Sequence, residues 1–251
     1  MDSSTTIVFI TGANGGIGFE TASLFATIPS YHIIIGARSV EKGEKAVSEI
    51  KSQNPQGTIS FVQIDVTDDK SITDAVATVE KDFGRVDVLI NNAGIISRAE
   101  SLGDRLRENF ATNTIGAAVV SKSFGPLLFK SQHAKIINVS SGLGSISQTL
   151  DPKNPYYKSK TAAYMMSKAA LNMLTAYDHV QLGDKGIKIW AFCPGYVVTN
   201  LTGTGEQGVQ ERIARGAGSP KESASGLLAI VEGKRDADVG KFVHKDGVYG
   251  W

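Results

Sequence analysis

The sequence predicts an α/β protein built on a doubly wound parallel sheet of seven strands, all in a single domain. Three observations predict it. Apolar runs recur between helical stretches from end to end, most of them lack apolar–polar alternation, and a glycine-rich turn follows the first directly. Unbroken Ile/Val runs mark strands covered on both faces, as a parallel sheet requires. Sustained strand–helix alternation is the pattern of βαβ units, whose helices cover the two faces of one sheet.

In chain order, strands are expected at 6–11, 31–36, 58–64, 86–91, 135–140, 188–192 and 241–244. Helices are expected at 17–27, 41–53, 70–83, 104–130, 161–182 and 221–232. No internal repeat and no Pro-, Gly- or Ser-rich linker divides the chain, so 1–251 reads as one unit. The segment 199–220 breaks the rhythm, with several glycines and little apolar content, and reads as a substrate lid or, equally, as a surface loop.

Composition narrows the function. With 26 Lys and Arg against 25 Asp and Glu the net charge is +1, so no basic footprint argues for nucleic acid or an anionic membrane. The single cysteine, Cys193, excludes an internal disulfide and fits a reducing compartment. The amino terminus lacks the basic flank and apolar core of a signal peptide, and no apolar run approaches spanning length, so a cytoplasmic protein is expected. His32, His133, His179 and His244 are scattered without ligand spacing, so no metal is expected.

The first strand runs into Thr11-Gly12-Ala13-Asn14-Gly15-Gly16-Ile17-Gly18 and then a helix. Glycines let the backbone approach a diphosphate, and the helix end offers free N–H groups and a positive dipole. The spacing is Gly-x-x-x-Gly-x-Gly and not the commoner Gly-x-Gly-x-x-Gly. At the end of the second strand stand Arg38 and Ser39, with no acid before Glu41. An acid there would hold the ribose hydroxyls of NAD, whereas Arg38, supported by the Ser39 hydroxyl, suits a 2′-phosphate. The cofactor expected is therefore NADP(H). Asp65 and Val66, ending the third strand, are placed to meet the adenine.

Tyr164 and Lys168, four residues apart, share one face of a helix, where an ammonium can hold a phenol near ionisation. The same pattern occurs at Tyr156 and Lys160, and spacing alone does not choose between them. Both tyrosines cannot serve one site, since eight helical residues span about 12 Å. An ammonium about 4 Å from the phenol is worth about 4 kcal/mol at an effective dielectric near 20, or roughly three pKa units downward from about 10.

With these residues in view, the chain resembles the short-chain dehydrogenase/reductase family over nearly its full length. Thr11-Gly12…Gly16-x-Gly18, Asp65-Val66, Asn91-Asn92-Ala93-Gly94, Asn113-Thr114-Ile115-Gly116, Asn138-Val139-Ser140-Ser141, Tyr164…Lys168 and Pro194-Gly195…Thr199 stand in the family's order. The run Gly240-Lys241-Phe242-Val243…Asp246-Gly247…Trp251 is similar to the carbonyl-reductase branch, with its sniffer-type reductases and fungal ketoreductases. The resemblance implies a Rossmann fold and selects Tyr164, which stands 30 residues before Pro194 where Tyr156 stands 38 before it.

It further implies that Asn113, Ser141, Tyr164 and Lys168 are catalytic, with Asn113 holding a water that links Lys168 to solvent. Cofactor contacts are implied for Gly12, Asn14, Gly16, Ile17, Gly18, Arg38, Ser39, Asp65, Val66, Asn91, Ala93, Gly94, Tyr164, Lys168, Pro194, Gly195, Val197 and Thr199. Asn91 is expected near the adenosine, and Thr199 at the nicotinamide carboxamide. The 23-residue gap from Ser141 to Tyr164 is longer than the family's usual one, through a polar stretch around 148–160. The expected reaction is hydride transfer from NADPH to a ketone, aldehyde or quinone, with Tyr164 as general acid. Epimerisation, dehydration or cyclisation in a biosynthetic pathway, or a non-enzymatic dinucleotide-responsive role, are the alternatives. The expected partner is a small carbonyl compound, and monomer and homo-oligomer are both open.

Overall fold

Thr6–Thr11 (β1) sends its side chains alternately into two apolar layers. Ile7 and Phe9 enter one and Val8 and Ile10 the other, all fully buried, which is why the strand reads as unbroken apolar sequence. The computed structural model describes residues 4–199, 201 and 206–251. The further strands are Tyr31–Ala37 (β2), Thr58–Gln63 (β3), Val88–Asn91 (β4), Lys135–Val139 (β5), Lys188–Phe192 (β6), Phe242–His244 (β7) and Gly247–Tyr249 (β8). They form one sheet in the order β3-β2-β1-β4-β5-β6-β7-β8. The seven expected strands pair in parallel, and β8 is an addition: it folds back antiparallel on β7 through the turn at Lys245 and Asp246.

One face of the sheet is covered by Gly16–Phe25 (α1), Val40–Lys51 (α2) and Pro220–Val231 (α9), whose Phe25, Ile50 and Leu227 join a core around Trp190. The other face takes Asp69–Phe83 (α3), whose Ile72 and Val79 pack in a second core around Phe9 and Phe124. Asp68 caps α3 by accepting the N–H groups of Lys70 and Ser71, and Gly84 ends it at φ 75°.

The single helix expected at 104–130 is two helices, Leu102–Phe110 (α4) and Ala117–Leu128 (α5), joined by a π-helical turn at Ala111–Gly116. Within that turn Asn113 and Gly116 are buried. Gly116 is required by contact, since a Cβ there would lie 2.6 Å from the Val66 carbonyl oxygen. A short helix, Ile146–Leu150 (α6), precedes Ala162–Leu182 (α7), and Glu206–Ala214 (α8) occupies part of the expected lid. Residues 200 and 202–205 of that lid lie outside the described residues. Its two ends are tied by a bridge, with Val198 N–H donating to Gly218 and Gly218 N–H to Tyr196.

The strand order reverses between β1 and β4, so the loops leaving their carboxyl ends diverge. A cleft opens at such a switch point.

Candidate active site

A cleft of about 510 Å³ lies at that switch point, lined from the glycine turn to α7. Its floor is built by backbone contact. Gly12 has φ +65°, and a Cβ there would lie 2.9 Å from the Ala93 Cα; one on Gly18 would lie 2.5 Å from the Asn92 amide nitrogen. Thr11 Oγ1 accepts the N–H groups of Asn92 and Ala93, while Asn92 Nδ2 donates to the carbonyls of Thr11 and Gly12. The loops after β1 and β4 are thereby locked together. Gly15, at the head of α1, brings no side-chain cap, so the first N–H groups of the helix face the cleft with its positive dipole end.

Among the residues singled out from sequence, Gly12, Asn14, Gly16, Ile17, Arg38, Asp65, Val66, Ala93, Gly94, Tyr164, Lys168, Pro194 and Thr199 line this cleft. Burial pushes the Asp65 carboxyl up, but the N–H and hydroxyl of Thr67, 2.9 and 2.7 Å from Oδ1, and the Arg38 charge outweigh it and hold it below its usual range.

Ser39 and Asn91 do not line it. Ser39 caps α2 by accepting the Lys42 N–H at 3.3 Å. Asn91 is turned into the sheet, donating to Ser121 Oγ and Asn138 Oδ1, both at 2.8 Å. Gly18 and Gly195 shape the backbone beside the cleft, Gly195 at φ +82°, and Val197 sits in the bridge to Gly218. Residues that sequence reasoning missed include Thr67, Asn92, Ile95, Ile96 and Thr112. Asn92 was within reach of it, lying inside the Asn91–Gly94 motif; Thr112, in the π turn, carries no such signal.

Tyr164 and Lys168 stand one turn apart on α7, both buried. The Ser141 hydroxyl sits close enough to the Tyr164 phenol to pull its ionisation down, and its Oγ accepts the Leu143 N–H; Ser141 itself is not among the residues that line the cleft. Lys168 Nζ donates to the Val139 carbonyl at 2.8 Å and lies 5.9 Å from the Tyr164 ring centre. The expected lowering of the phenol is overturned: burial pushes it up to about 12, against the opposing pull of the Ser141 hydroxyl. Burial likewise pushes Lys168 down to about 8. In both cases the dry surroundings disfavour the charged form.

Ser140, the neighbour of Ser141, is buried and lines the cleft, with its hydroxyl donating to Asn172 Oδ1 at 2.6 Å. Asn113 has its Oδ1 on the Ile95 N–H and its Nδ2 on the Ile95 carbonyl and Ser167 Oγ, so its side chain ties the loop after β4 to α7. Tyr156 and Lys160 do not form a second pair on a helix: they lie in the irregular stretch before α7, with Tyr156 edge-on to Tyr196 at 6.2 Å. Cys193 is buried, accepts the Gly142 N–H at 3.1 Å, and burial pushes its thiol up.

A glycine turn on a helix end, a switch-point cleft and a Ser–Tyr–Lys cluster at its far side define a dinucleotide-dependent oxidoreductase of the short-chain type. The chain belongs to the short-chain dehydrogenase family, whose sequence profile matches residues 6–210 and whose members bind a nicotinamide dinucleotide. It is 34% identical to the short-chain dehydrogenase/reductase tropE of Talaromyces stipitatus over 98% of this chain and 97% of that one. It is 40% identical to the short-chain dehydrogenase anuI of Penicillium roqueforti over 86% and 90% of the two chains. Among solved structures it is similar to the NADPH-bound carbonyl reductase from chicken fatty liver, with 30% identity, a TM-score of 0.82 and coverage of 98% and 99%. Among the described residues no helix is long and apolar enough to cross a membrane.

Proposed function

We propose that this protein reduces the carbonyl of a ketone, aldehyde or quinone with NADPH. The observation that carries the reading is Tyr164 beside buried Lys168 at one end of a cleft whose other end holds Arg38, with the Ser141 hydroxyl near the phenol. The cleft fits the cofactor on its own terms: Gly12 leaves the backbone bare where a Cβ would fill the floor, and Gly16 at φ +57° opens the turn at the α1 end. Gly12, Asn14, Gly16 and Ile17 would hold the diphosphate, and Arg38 the 2′-phosphate. Asp65 and Val66 would hold the adenine, Lys168 the ribose, and Pro194 and Thr199 the nicotinamide. The fit extends to 199–220 as a lid, since Thr199 and Leu201 already line the cleft.

The bound cofactor supplies a hydride to the carbonyl carbon. The chain does the rest. Ser141 donates a hydrogen bond to the carbonyl oxygen and polarises it. Tyr164, its phenol raised to about 12, keeps its proton at neutral pH and gives it to that oxygen. The Lys168 ammonium faces the phenolate left behind and stabilises it.

The test is NADPH and NADH oxidation against a panel of ketones, aldehydes and quinones. Tyr164→Phe should lower kcat by about 100-fold or more while cofactor binding, read by fluorescence, is kept. Turnover that survives loss of the phenol sinks the mechanism. Arg38→Asp should weaken NADPH about tenfold or more and spare NADH; an equal loss for both sinks the 2′-phosphate assignment.

A further inference from the structure

Tyr164, Lys168 and Asn172 follow one another at intervals of four along the inward face of α7. The first two line the cleft, and the third does not reach it. Asn172 is 3% exposed, and its amide is committed on both sides. Its Oδ1 accepts the Ser140 hydroxyl at 2.6 Å, and its Nδ2 donates to the Gly144 carbonyl at 3.1 Å. Ser140 immediately precedes Ser141. Gly144 closes the short 3₁₀ turn Gly142–Gly144 that follows it. One side chain therefore holds both ends of the segment that carries Ser141.

The same segment touches α7 through backbone. A Cβ on Gly144 would lie 2.6 Å from the Lys168 carbonyl carbon and 2.7 Å from its Cβ. Ser140 Oγ also reaches the Lys168 carbonyl, at 3.4 Å. The serine segment and the helix bearing Tyr164 and Lys168 are thus seated directly on each other, and Asn172 is the polar fastening between them. For Ser141 and Tyr164 to grip one carbonyl oxygen, their hydroxyls must sit at a fixed separation, and errors near 1 Å cost about 100-fold in rate.

We propose that Asn172 is the positioning residue that sets the Ser141–Tyr164 separation. It touches neither substrate nor cofactor and acts through Ser141. The inference rests on the reductase reading, and its tests separate the two. Asn172→Leu removes the acceptor at 2.6 Å from the Ser140 hydroxyl, leaving it the Lys168 carbonyl at 3.4 Å, and removes the donor to the Gly144 carbonyl. Its kcat should fall about 10- to 100-fold, with NADPH binding unchanged. In a Ser141→Ala background the same substitution should cost under about threefold more, because the residue through which it acts is already gone. A merely structural role predicts equal losses in both backgrounds, and that result overturns the proposal, as does a parallel loss of NADPH binding.

Should Asn172→Leu fail to fold, Asn172→Asp keeps the acceptor for Ser140 and removes the donor to Gly144, and the same cycle is read with it. If the unaltered protein turns over none of the carbonyl panel, the reductase reading fails alone. The crystal structure of the Asn172 variant then decides the positioning role. A changed Ser141–Tyr164 separation supports it, and an unmoved pair overturns it.

Discussion

Lys168 holds its ammonium in a dry site, hydrogen-bonded to the Val139 carbonyl, and ionises at about 8. Tyr164 beside it keeps its proton until about 12. Carbonyl reduction should therefore run at full rate while Lys168 is charged and fall as pH rises through about 8, since the ammonium that faces the phenolate is lost first. A plot of kcat against pH that stays flat through that region would overturn this assignment. The same ionisation acts on stability with a definite sign. The unfolded chain holds this proton to 10.5 and the folded one only to about 8, so this group's contribution to stability increases with pH across that window. Sequence could place an ammonium one turn from a phenol, and it placed both correctly on one helix. It could not give their depth, and depth reverses the sign of the phenol's shift. That Asn91 and Ser39 do not line the cleft was out of reach for a related reason. Which way β4 turned its final side chain, and whether a serine served a phosphate or the head of α2, depended on neighbours that only the fold supplies.

The elements around the site differ in how much change they admit, and glycine shows it. Gly144→Ala would drive a methyl group into the α7 backbone, 2.6 Å from the Lys168 carbonyl carbon and 2.9 Å from the Ala169 nitrogen. It should cost about 1–3 kcal/mol and lower kcat, because neither backbone can yield. Gly125→Ala, inside α5, meets only Phe129 at 3.8 Å. There the gain in helix propensity, about 1 kcal/mol, should dominate and raise the urea midpoint. Equal effects from the two substitutions would contradict this packing. Element positions were legible where apolar runs were long: the seven parallel strands and α7 follow their sequence signals within a few residues. The π turn at Ala111–Gly116 was not legible, because an added residue inside a helix leaves the apolar pattern on either side intact. Three-residue β8 and five-residue α6 are too short to show a period at all.

Across the whole molecule, the reversal between β1 and β4 fixes where the cleft lies; strand–helix alternation announced a doubly wound sheet but not the order of its strands. The carboxyl-terminal residues are tied to the head of α6 by contacts distant in sequence. The Ser145 hydroxyl donates to the Gly250 carbonyl at 2.6 Å, the Ser147 N–H donates to that of Trp251, and Trp251 stacks on Phe242 at 5.9 Å. A chain shortened to residue 246 keeps its parallel strands and the nucleotide-facing glycines but frees α6. Such a chain should bind NADPH normally and show a raised KM for the carbonyl compound, measured by initial rates; an unchanged KM would separate this segment from the substrate side. The pairing of Ser145 with Gly250 joins residues 105 apart, so it also sets an order of events in time. On the ribosome, β1–β4 emerge with the first hundred or so residues, whereas the bond from Ser145 waits until residue 250 is made. The nascent protein therefore passes through an interval in which the strands around the glycine turn are made while the hydroxyl at the head of α6 still lacks its Gly250 partner.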